Sequence, residues 1–161
     1  MYHKAKVFDK DLFDANDPRG RVKAIQIIST YYPHIRVEEN PDPYGIDLIC
    51  YETSESKYDR LISNMFNKLY AYIEVEVREA WITTHFPWNT SHIPARKEKF
   101  FQKYDNVLYF QFNNSLESLL IFDGKVIRKM PIYTSKVKNE DSFRYYEIPY
   151  PDGVLKQMFH L

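Results

Sequence analysis

Three carboxylates stand inside apolar segments, where a charged side chain needs a partner. Asp47 lies in the apolar run 46–51, and Glu74 and Glu76 alternate with β-branched residues in 72–78. An unpaired buried carboxylate costs several kcal/mol. The two glutamates would stand roughly 7 Å apart on one strand face, where they repel each other unless water or a cation intervenes. Hard divalent ions such as Mg²⁺ prefer such oxygen ligands, so a bound cation is one partner that these acids could have.

Each acid also has a simpler explanation. The alternation at Glu74 and Glu76 is typical of any half-exposed strand, and an Arg, a Lys or a set of N–H donors could neutralise Asp47. Asp42 directly follows Pro41 and is a rival aspartate, but it falls in a turn segment rather than in the apolar run. The five histidines form no pair at metal-ligand spacing, which disfavours zinc.

The elements that must position these acids follow from periodicity and turn residues. Residues 1–16 form an extended lead-in, a helix over 19–32 begins after Asp17-Pro18, and a second helix covers 94–104. Residues 53–68 form a short helix or ordered loop, and Asp123-Gly124 forms a type I′ hairpin turn. Strands are expected at 34–38, 44–52, 69–81, 106–112, 116–122, 125–130 and 143–148. This order predicts a mixed α/β fold with a mixed central β-sheet flanked by helices.

Length and composition narrow the class of protein. The 161 residues, 44% of them hydrophobic and 27% charged, predict one globular domain over 1–161. Only four glycines are present, which excludes Gly-rich phosphate-binding and dinucleotide-binding loops. Acidic and basic residues balance at 22 each, so a strongly basic nucleic-acid coat is disfavoured. The aromatic content of 17% favours a sheet-rich core and could supply surfaces for stacking on bases.

The expected compartment follows from the single cysteine and from hydropathy. Cys50 lies in an apolar run, so it is expected to be a small core residue rather than a nucleophile or a disulfide partner. No apolar stretch reaches the length of a membrane span, and the first residues lack the apolar centre of a signal peptide. We expect an intracellular, cytoplasmic protein with no membrane partner.

The acids carry a family resemblance. Gly45-Ile46-Asp47-Leu48, followed by a strand with Glu74-Val75-Glu76, resembles the core of the PD-(D/E)XK (restriction-endonuclease-like) nucleases. In that superfamily an aspartate opens one strand and an acidic-X-Lys triplet lies on the next. Asp47 and Glu74 match its metal-binding acids, whereas Glu76 stands where lysine is usual, as in acidic-X-acidic variants. The resemblance covers about 17–112 and leaves 113–161 as a C-terminal strand extension.

Two further positions bear on the resemblance. These nucleases often add an acid from the first helix, and because 19–32 contains none, Asp17, Glu38 or Glu39 would have to substitute. The stretch from His92 to Lys97 is similar to a Pro-X-Arg-Lys segment of the superfamily. Helical spacing points Lys97 toward the sheet, where it would supply the cation that is missing at position 76. Alternatively, Lys97 extends its ammonium past the aromatic residues into water.

The resemblance implies a Mg²⁺-dependent (or Mn²⁺-dependent) endonuclease that hydrolyses phosphodiester bonds in DNA, leaves a 5′-phosphate and can act as a homodimer. Asp47, Glu74 and Glu76 would bind metal, with Glu76 holding a second ion or orienting water, and Lys97 would stabilise the transition state. Phage replication, recombination, repair or restriction would be its setting. Single-stranded, branched or duplex DNA and RNA all stay open as substrates.

We expect four further residues to contact the substrate: Arg78, Trp81, His92 and Arg96. Trp81 belongs to an aromatic loop with Phe86 and Trp88, which could instead only anchor the loop in the core. Two non-enzymatic alternatives stand beside the nuclease hypothesis. One is a catalytically inactive nuclease-fold module that binds nucleic acid or a protein, and the other is a plain interaction domain with a solvated acidic strand.

Overall fold

The computed structural model describes the backbone of residues 10–53, 69–134, 144–149 and 154–157, and the side chains of 18–53, 69–133 and 146–149. Its helices are α1 (Lys10–Tyr31), a 3-10 turn (Ala95–Lys97), α2 (Glu98–Lys103) and α3 (Gly124–Ile127). Its strands are β1 (Ile35–Glu39), β2 (Leu48–Glu52), β3 (Leu69–Arg78), β4 (Thr90–Pro94), β5 (Val107–Asn113), β6 (Ser118–Asp123), β7 (Ile132–Thr134), β8 (Arg144–Pro149) and β9 (Val154–Gln157). The helix or loop expected over 54–68 lies outside the described residues.

Nine strands form two sheets in the described part of the chain. The larger sheet has six strands in the order β1-β2-β3-β5-β6-β9, and β4-β8-β7 form a smaller antiparallel sheet. Only β3 and β5 pair in parallel among these ladders, with Glu74 opposite Tyr109 and Glu76 opposite Gln111. The predicted mixed α/β fold with a mixed central sheet is therefore confirmed.

Both faces of the large sheet are covered, so its inner strands bury side chains on both sides. Helix α1 packs on one face and forms the α1-side core with inward residues of β2, β3 and β5, including Leu48, Ile73, Val75 and Phe110. Helix α2 and the small sheet cover the opposite face and form the α2-side core, which includes Phe101, Tyr109, Phe122 and Tyr146. Glu74 and Glu76 alternate with Ile73 and Val75, and they therefore face the α2-side core.

The first helix is longer than predicted. It begins at Lys10 and continues through Pro18, so the expected extended lead-in is wrong for 10–16. Proline's fixed φ is compatible with helical backbone, and its presence costs a hydrogen bond rather than forbidding the helix. No helix in the described residues is long and apolar enough to cross a membrane.

The segment after β6 also differs from its prediction. Asp123 has φ −77° and its carboxylate accepts a hydrogen bond from the Lys125 N–H at 2.8 Å, which begins α3 instead of a type I′ hairpin. The expected strand over 125–130 is therefore wrong. A Cβ on Gly124 would lie 2.8 Å from the Val107 carbonyl oxygen, so glycine permits this close packing of α3 on β5.

Sequence patterns also missed β4, which was expected to be loop. Its proline and histidine weaken the strand signal, but the segment pairs with β8, with Ser91 opposite Ile148 and Ile93 opposite Tyr146. Both Ile93 and Ile148 are fully buried. The pairing depends on a partner more than fifty residues away, which local periodicity does not detect.

Gly20 brings α1 close to the strand that carries the two glutamates. A Cβ at this position would lie 2.9 Å from Cγ1 of Val75 and 2.9 Å from Cγ2 of Val77, closer than carbon atoms pack. We predict that Gly20→Ala lowers the free energy of unfolding by about 1 kcal/mol, because overpacking exceeds the gain in helix propensity. Urea denaturation measures it, with Val22→Ala on the exposed side of α1 as control. An increase in stability would contradict the close approach.

Candidate active site

Asp47 lies beside Glu74 on the neighbouring strand. It immediately precedes β2, whose Leu48 pairs with Ile73 of β3. One oxygen of the Asp47 carboxylate, Oδ2, accepts a hydrogen bond from the Val75 N–H at 2.8 Å. The carboxylate is thereby held against the backbone of β3 at the residue that follows Glu74.

Glu74 is a buried charge paired with Lys97. The glutamate is 1% exposed, and Lys97 donates from Nζ to its Oε1, with 18% of the lysine side chain exposed. Lys97 stands at the start of α2 and turns toward the sheet, which matches the inward orientation hypothesised from helical spacing rather than the solvent-directed alternative. The pair compensates a carboxylate that could not otherwise remain ionised in this apolar layer.

The second oxygen of Glu74 lacks a partner among the described residues. Glu74 Oε2 is buried, and no described residue donates a hydrogen bond to it. Buried carboxylate oxygens in native proteins are almost always paired, so such an atom calls for a further partner. Because the Asp47 carboxylate is bonded to the next residue of β3, a divalent cation with its water shell would be a chemically suitable partner.

Glu76 has a different set of partners. Its Oε2 accepts hydrogen bonds from the Tyr109 hydroxyl and from the Gln111 amide at 3.1 Å. Gln111 in turn accepts a hydrogen bond at its Oε1 from the Ser91 hydroxyl at 2.6 Å. Burial, together with the charge of Glu76, holds the pKa of Tyr109 well above its ordinary value. The carboxylate of Glu76 is therefore compensated by neutral donors on β5.

The three predicted metal ligands are thus brought to one face and one strand pair, but they are not equivalent. In the described ranges, no three His, Cys, Asp or Glu side chains form a group arranged to hold a metal ion. Asp47 and Glu74 are the adjacent pair, while Glu76 is engaged with Tyr109 and Gln111. A metal centre at these acids stays a prediction.

The residues expected to contact substrate divide into buried and accessible ones. Trp81 is 0% exposed and its indole N–H donates to the His85 carbonyl at 2.9 Å, so it anchors the loop in the core as the alternative explanation proposed. Arg96 is exposed near the start of α2. His92 is half-buried, 4.0 Å from Glu147, and burial followed by the charge of Arg78 lowers its pKa.

Arg78 connects the site to an exposed tryptophan. Its guanidinium carbon lies 4.7 Å from the ring centroid of Trp88, and its NH1 lies 3.4 Å from the Ser91 hydroxyl, to which it donates. Trp88 is 36% exposed. The accessible aromatic residue of this loop is therefore Trp88 rather than Trp81.

The other candidate acids that the structure describes make contacts that stabilise a turn and an edge strand. Asp42 closes the turn before β2, where its Oδ1 accepts a hydrogen bond from the Tyr44 N–H at 3.0 Å. Glu38 pairs with Arg36 and Glu39 pairs with Arg21, each at 3.3 Å, on the edge strand β1. The side chain of Asp17 lies outside the described residues.

Sequence reasoning missed three members of the polar network: Ser91, Tyr109 and Gln111. All three are buried, and the last two alternate with phenylalanines in β5. That alternation was the available signal, because a Gln in a strand buried on both sides needs hydrogen-bond partners just as a Glu does. Ser91 gave no comparable signal, since β4 itself was not predicted.

Comparisons with known proteins identify a fold. No protein-family model and no curated protein matches this sequence. Among solved structures, the chain is similar to D212, a nuclease from a fusselovirus, with a TM-score of 0.52 and 15% sequence identity. The similarity covers 93% of this chain and 89% of D212. At this identity the similarity shows that the two chains share a mixed α/β fold of the kind found in a viral nuclease.

The Glu74–Lys97 pair can be tested through stability. We predict that Lys97→Met lowers the free energy of unfolding at neutral pH by about 3–5 kcal/mol, because it leaves the buried Glu74 charge without its cation. The double variant Lys97→Met/Glu74→Gln should recover most of this loss, since both charges are then removed. Chemical denaturation of the single and double variants measures both effects. Equal destabilisation of the two proteins would contradict a dominant ion pair.

Tyr109 should confer a pH dependence on stability. Its pKa in the folded state is raised above the ordinary value of 10.0, so its contribution is fully present below that pH and is lost as the pH rises toward the folded-state pKa. We predict that Tyr109→Phe weakens folding by about 1–3 kcal/mol at neutral pH and reduces the fall in stability above pH 10. Denaturation midpoints from pH 8 to 11 test this. An unchanged alkaline slope would argue against the protonated Tyr109–Glu76 contact.

Proposed function

We propose that this protein is a metal-dependent nuclease of the PD-(D/E)XK type that hydrolyses phosphodiester bonds in DNA. The observation that carries the proposal is the buried Oε2 of Glu74, which has no hydrogen-bond partner among the described residues, while Lys97 holds the other oxygen and Asp47 is bonded to the next residue of the strand. The shared fold with a viral nuclease gives independent support. Two acids at neighbouring strands and a lysine at the start of α2 are groups that can bind a metal ion and stabilise charge on a phosphate.

The residues fit a Mg²⁺ or Mn²⁺ ion. Asp47 and Glu74 would hold it, because Mg²⁺ is commonly bound by one or two carboxylates together with water and substrate phosphate oxygens. When bound, the ion would polarise the scissile phosphate and lower the pKa of a water molecule. The Val75 N–H fixes the orientation of Asp47, so this carboxylate is preorganised.

Lys97 and Glu76 would have different tasks. Lys97 is partly exposed at the start of α2, so its ammonium lies where it can both neutralise Glu74 and stabilise charge that develops on a phosphate oxygen. It takes the place of the lysine that position 76 lacks. Glu76 is held by hydrogen bonds from Tyr109 and Gln111. It is therefore better suited to orient a water molecule beside the site than to act as a metal ligand.

The Glu74–Lys97 pair also favours a second candidate function. Lys97 neutralises Glu74 without any metal, which is how an inactive site could retain its shape. The protein would then be a nuclease-fold module that binds nucleic acid or a protein partner without cutting. This alternative predicts an intact Lys97–Glu74 contact with no affinity for divalent ions in the millimolar range.

Metal titration and cleavage assays separate the two functions. We predict that the wild-type protein binds Mn²⁺ by calorimetry and cuts single-stranded and plasmid DNA in Mg²⁺ or Mn²⁺. Asp47→Asn should lose both properties, whereas Lys97→Ala should bind Mn²⁺ but cut at least about 100-fold more slowly. Product ends should carry a 5′-phosphate.

Matched variants control this experiment. Asp42→Asn removes a nearby carboxylate that belongs to the turn and should keep both metal binding and cleavage. Lys97→Arg retains the positive charge beside Glu74 and should therefore keep the fold. Circular dichroism shows in parallel whether Lys97→Ala is still folded, so that a loss of activity can be separated from a loss of folding. Cleavage by Asp47→Asn at the wild-type rate would refute the nuclease site, and absence of Mn²⁺ binding in the wild type would favour the inactive module.

A further inference from the structure

The exposed tryptophan beside the candidate active site is pre-arranged by its neighbours. The guanidinium of Arg78 lies 4.7 Å from the Trp88 ring centroid, and the Phe86 ring meets Trp88 at a centroid distance of 5.3 Å and an interplanar angle of 73°. More than a third of Trp88 nevertheless remains exposed. A large aromatic ring that is fixed in position yet solvent-accessible is a surface on which a planar group can stack at low entropic cost.

A continuous polar chain joins this tryptophan to the acids. Arg78 donates to Ser91, Ser91 donates to Gln111, and Gln111 donates to Glu76. Arg78 and Glu74 also share one strand, four residues apart, which places them about 13 Å from each other along β3. At about 3.4 Å per nucleotide in a stacked strand, this separation of Arg78, the residue that holds Trp88, from Glu74 corresponds to roughly four nucleotides.

The charge around the tryptophan suits a polyanion. Arg78 and Arg96 both lie close enough to Tyr109 for their charges to act on it, so two positive charges stand near the buried network. A guanidinium stacked on an aromatic ring still presents its edge for hydrogen bonds to phosphate. Arg96 is exposed and could add a second phosphate contact.

We infer that Trp88, held by Arg78, stacks on an unpaired base, and that the site takes a single-stranded nucleic acid or a single-stranded segment of a larger one. Bases within a duplex are already stacked on both faces, so only an unpaired or extruded base can reach the ring. This inference rests on the proposed function for the position of the scissile phosphate, but base stacking itself requires neither metal nor cleavage.

Tryptophan fluorescence offers a direct test. The chain has two tryptophans, and Trp81 is fully buried, so quenching by a stacked base reports on Trp88. The protein in EDTA is titrated with dT₁₂, with U₁₂ and with a blunt duplex of matched length. We expect quenching and tight binding with the single strands and at least tenfold weaker binding to the duplex.

Substitutions assign the effect to the ring. Trp88→Ala should weaken single-strand affinity, measured by fluorescence anisotropy of labelled dT₁₂, by roughly 5- to 150-fold. Trp88→Phe should retain most of the affinity while losing the quench. Arg96→Ala should lower the slope of log affinity against log salt by about 0.7 without affecting the quench. Ile82→Ala, which removes another exposed apolar side chain from the same loop, should bind as wild type does.

The outcomes distinguish this inference from the proposed function. Quenching and single-strand preference without cleavage in Mg²⁺ or Mn²⁺ would support the stacking site and refute the nuclease. Cleavage with no quench, or with unchanged affinity in Trp88→Ala, would support the nuclease and overturn the stacking site. Equal affinity for the duplex would overturn the preference for unpaired strands. The comparison of dT₁₂ with U₁₂ tells DNA from RNA.

Discussion

The burial of one carboxylate, Glu74, constrains the centre of this molecule. It lies on a strand with neighbours on both edges and cover on both faces, where an ionised group requires a counter-charge or must be neutralised. Lys97 supplies that charge from the start of α2. The packing of α2 on the sheet and the ionisation of Glu74 are therefore coupled, and the electrostatic cost of the site is met by the same helix that closes the core.

The parallel pairing of β3 with β5 explains why two similar glutamates have different environments. In-register pairing places Tyr109 beside Glu74 and Gln111 beside Glu76, and the donors of both side chains reach Glu76. Glu74 pairs with Lys97 instead. One strand thus carries an acid with an oxygen that no described residue satisfies and, two residues later, an acid with an oxygen that accepts from two neutral donors.

The loop after β3 carries two tryptophans that have different environments. Trp81 enters the core and ties the loop to the sheet, while Trp88 stays at the surface against Arg78. Because Ser91 and Gln111 connect Arg78 to Glu76, the surface and the buried acids are parts of one hydrogen-bonded arrangement. A fixed aromatic ring near the acids is a more specific feature than net charge, which is zero for this chain.

The sequence by itself determined the alternation in β3, the proximity expected of Asp47 and Glu74, and the mixed α/β class. These follow from side-chain period and from the cost of burying charge, which are local properties. Only the tertiary structure decided which cation pairs with Glu74, which tryptophan remains exposed, and that β4 is a strand. It also turned the segment after Asp123 into a helix and extended α1 through Pro18. Helical spacing indicated that Lys97 turns toward the sheet but not which acid it meets. The other outcomes depend on partners distant in the chain or on small differences between competing local conformations, about which periodicity carries no information.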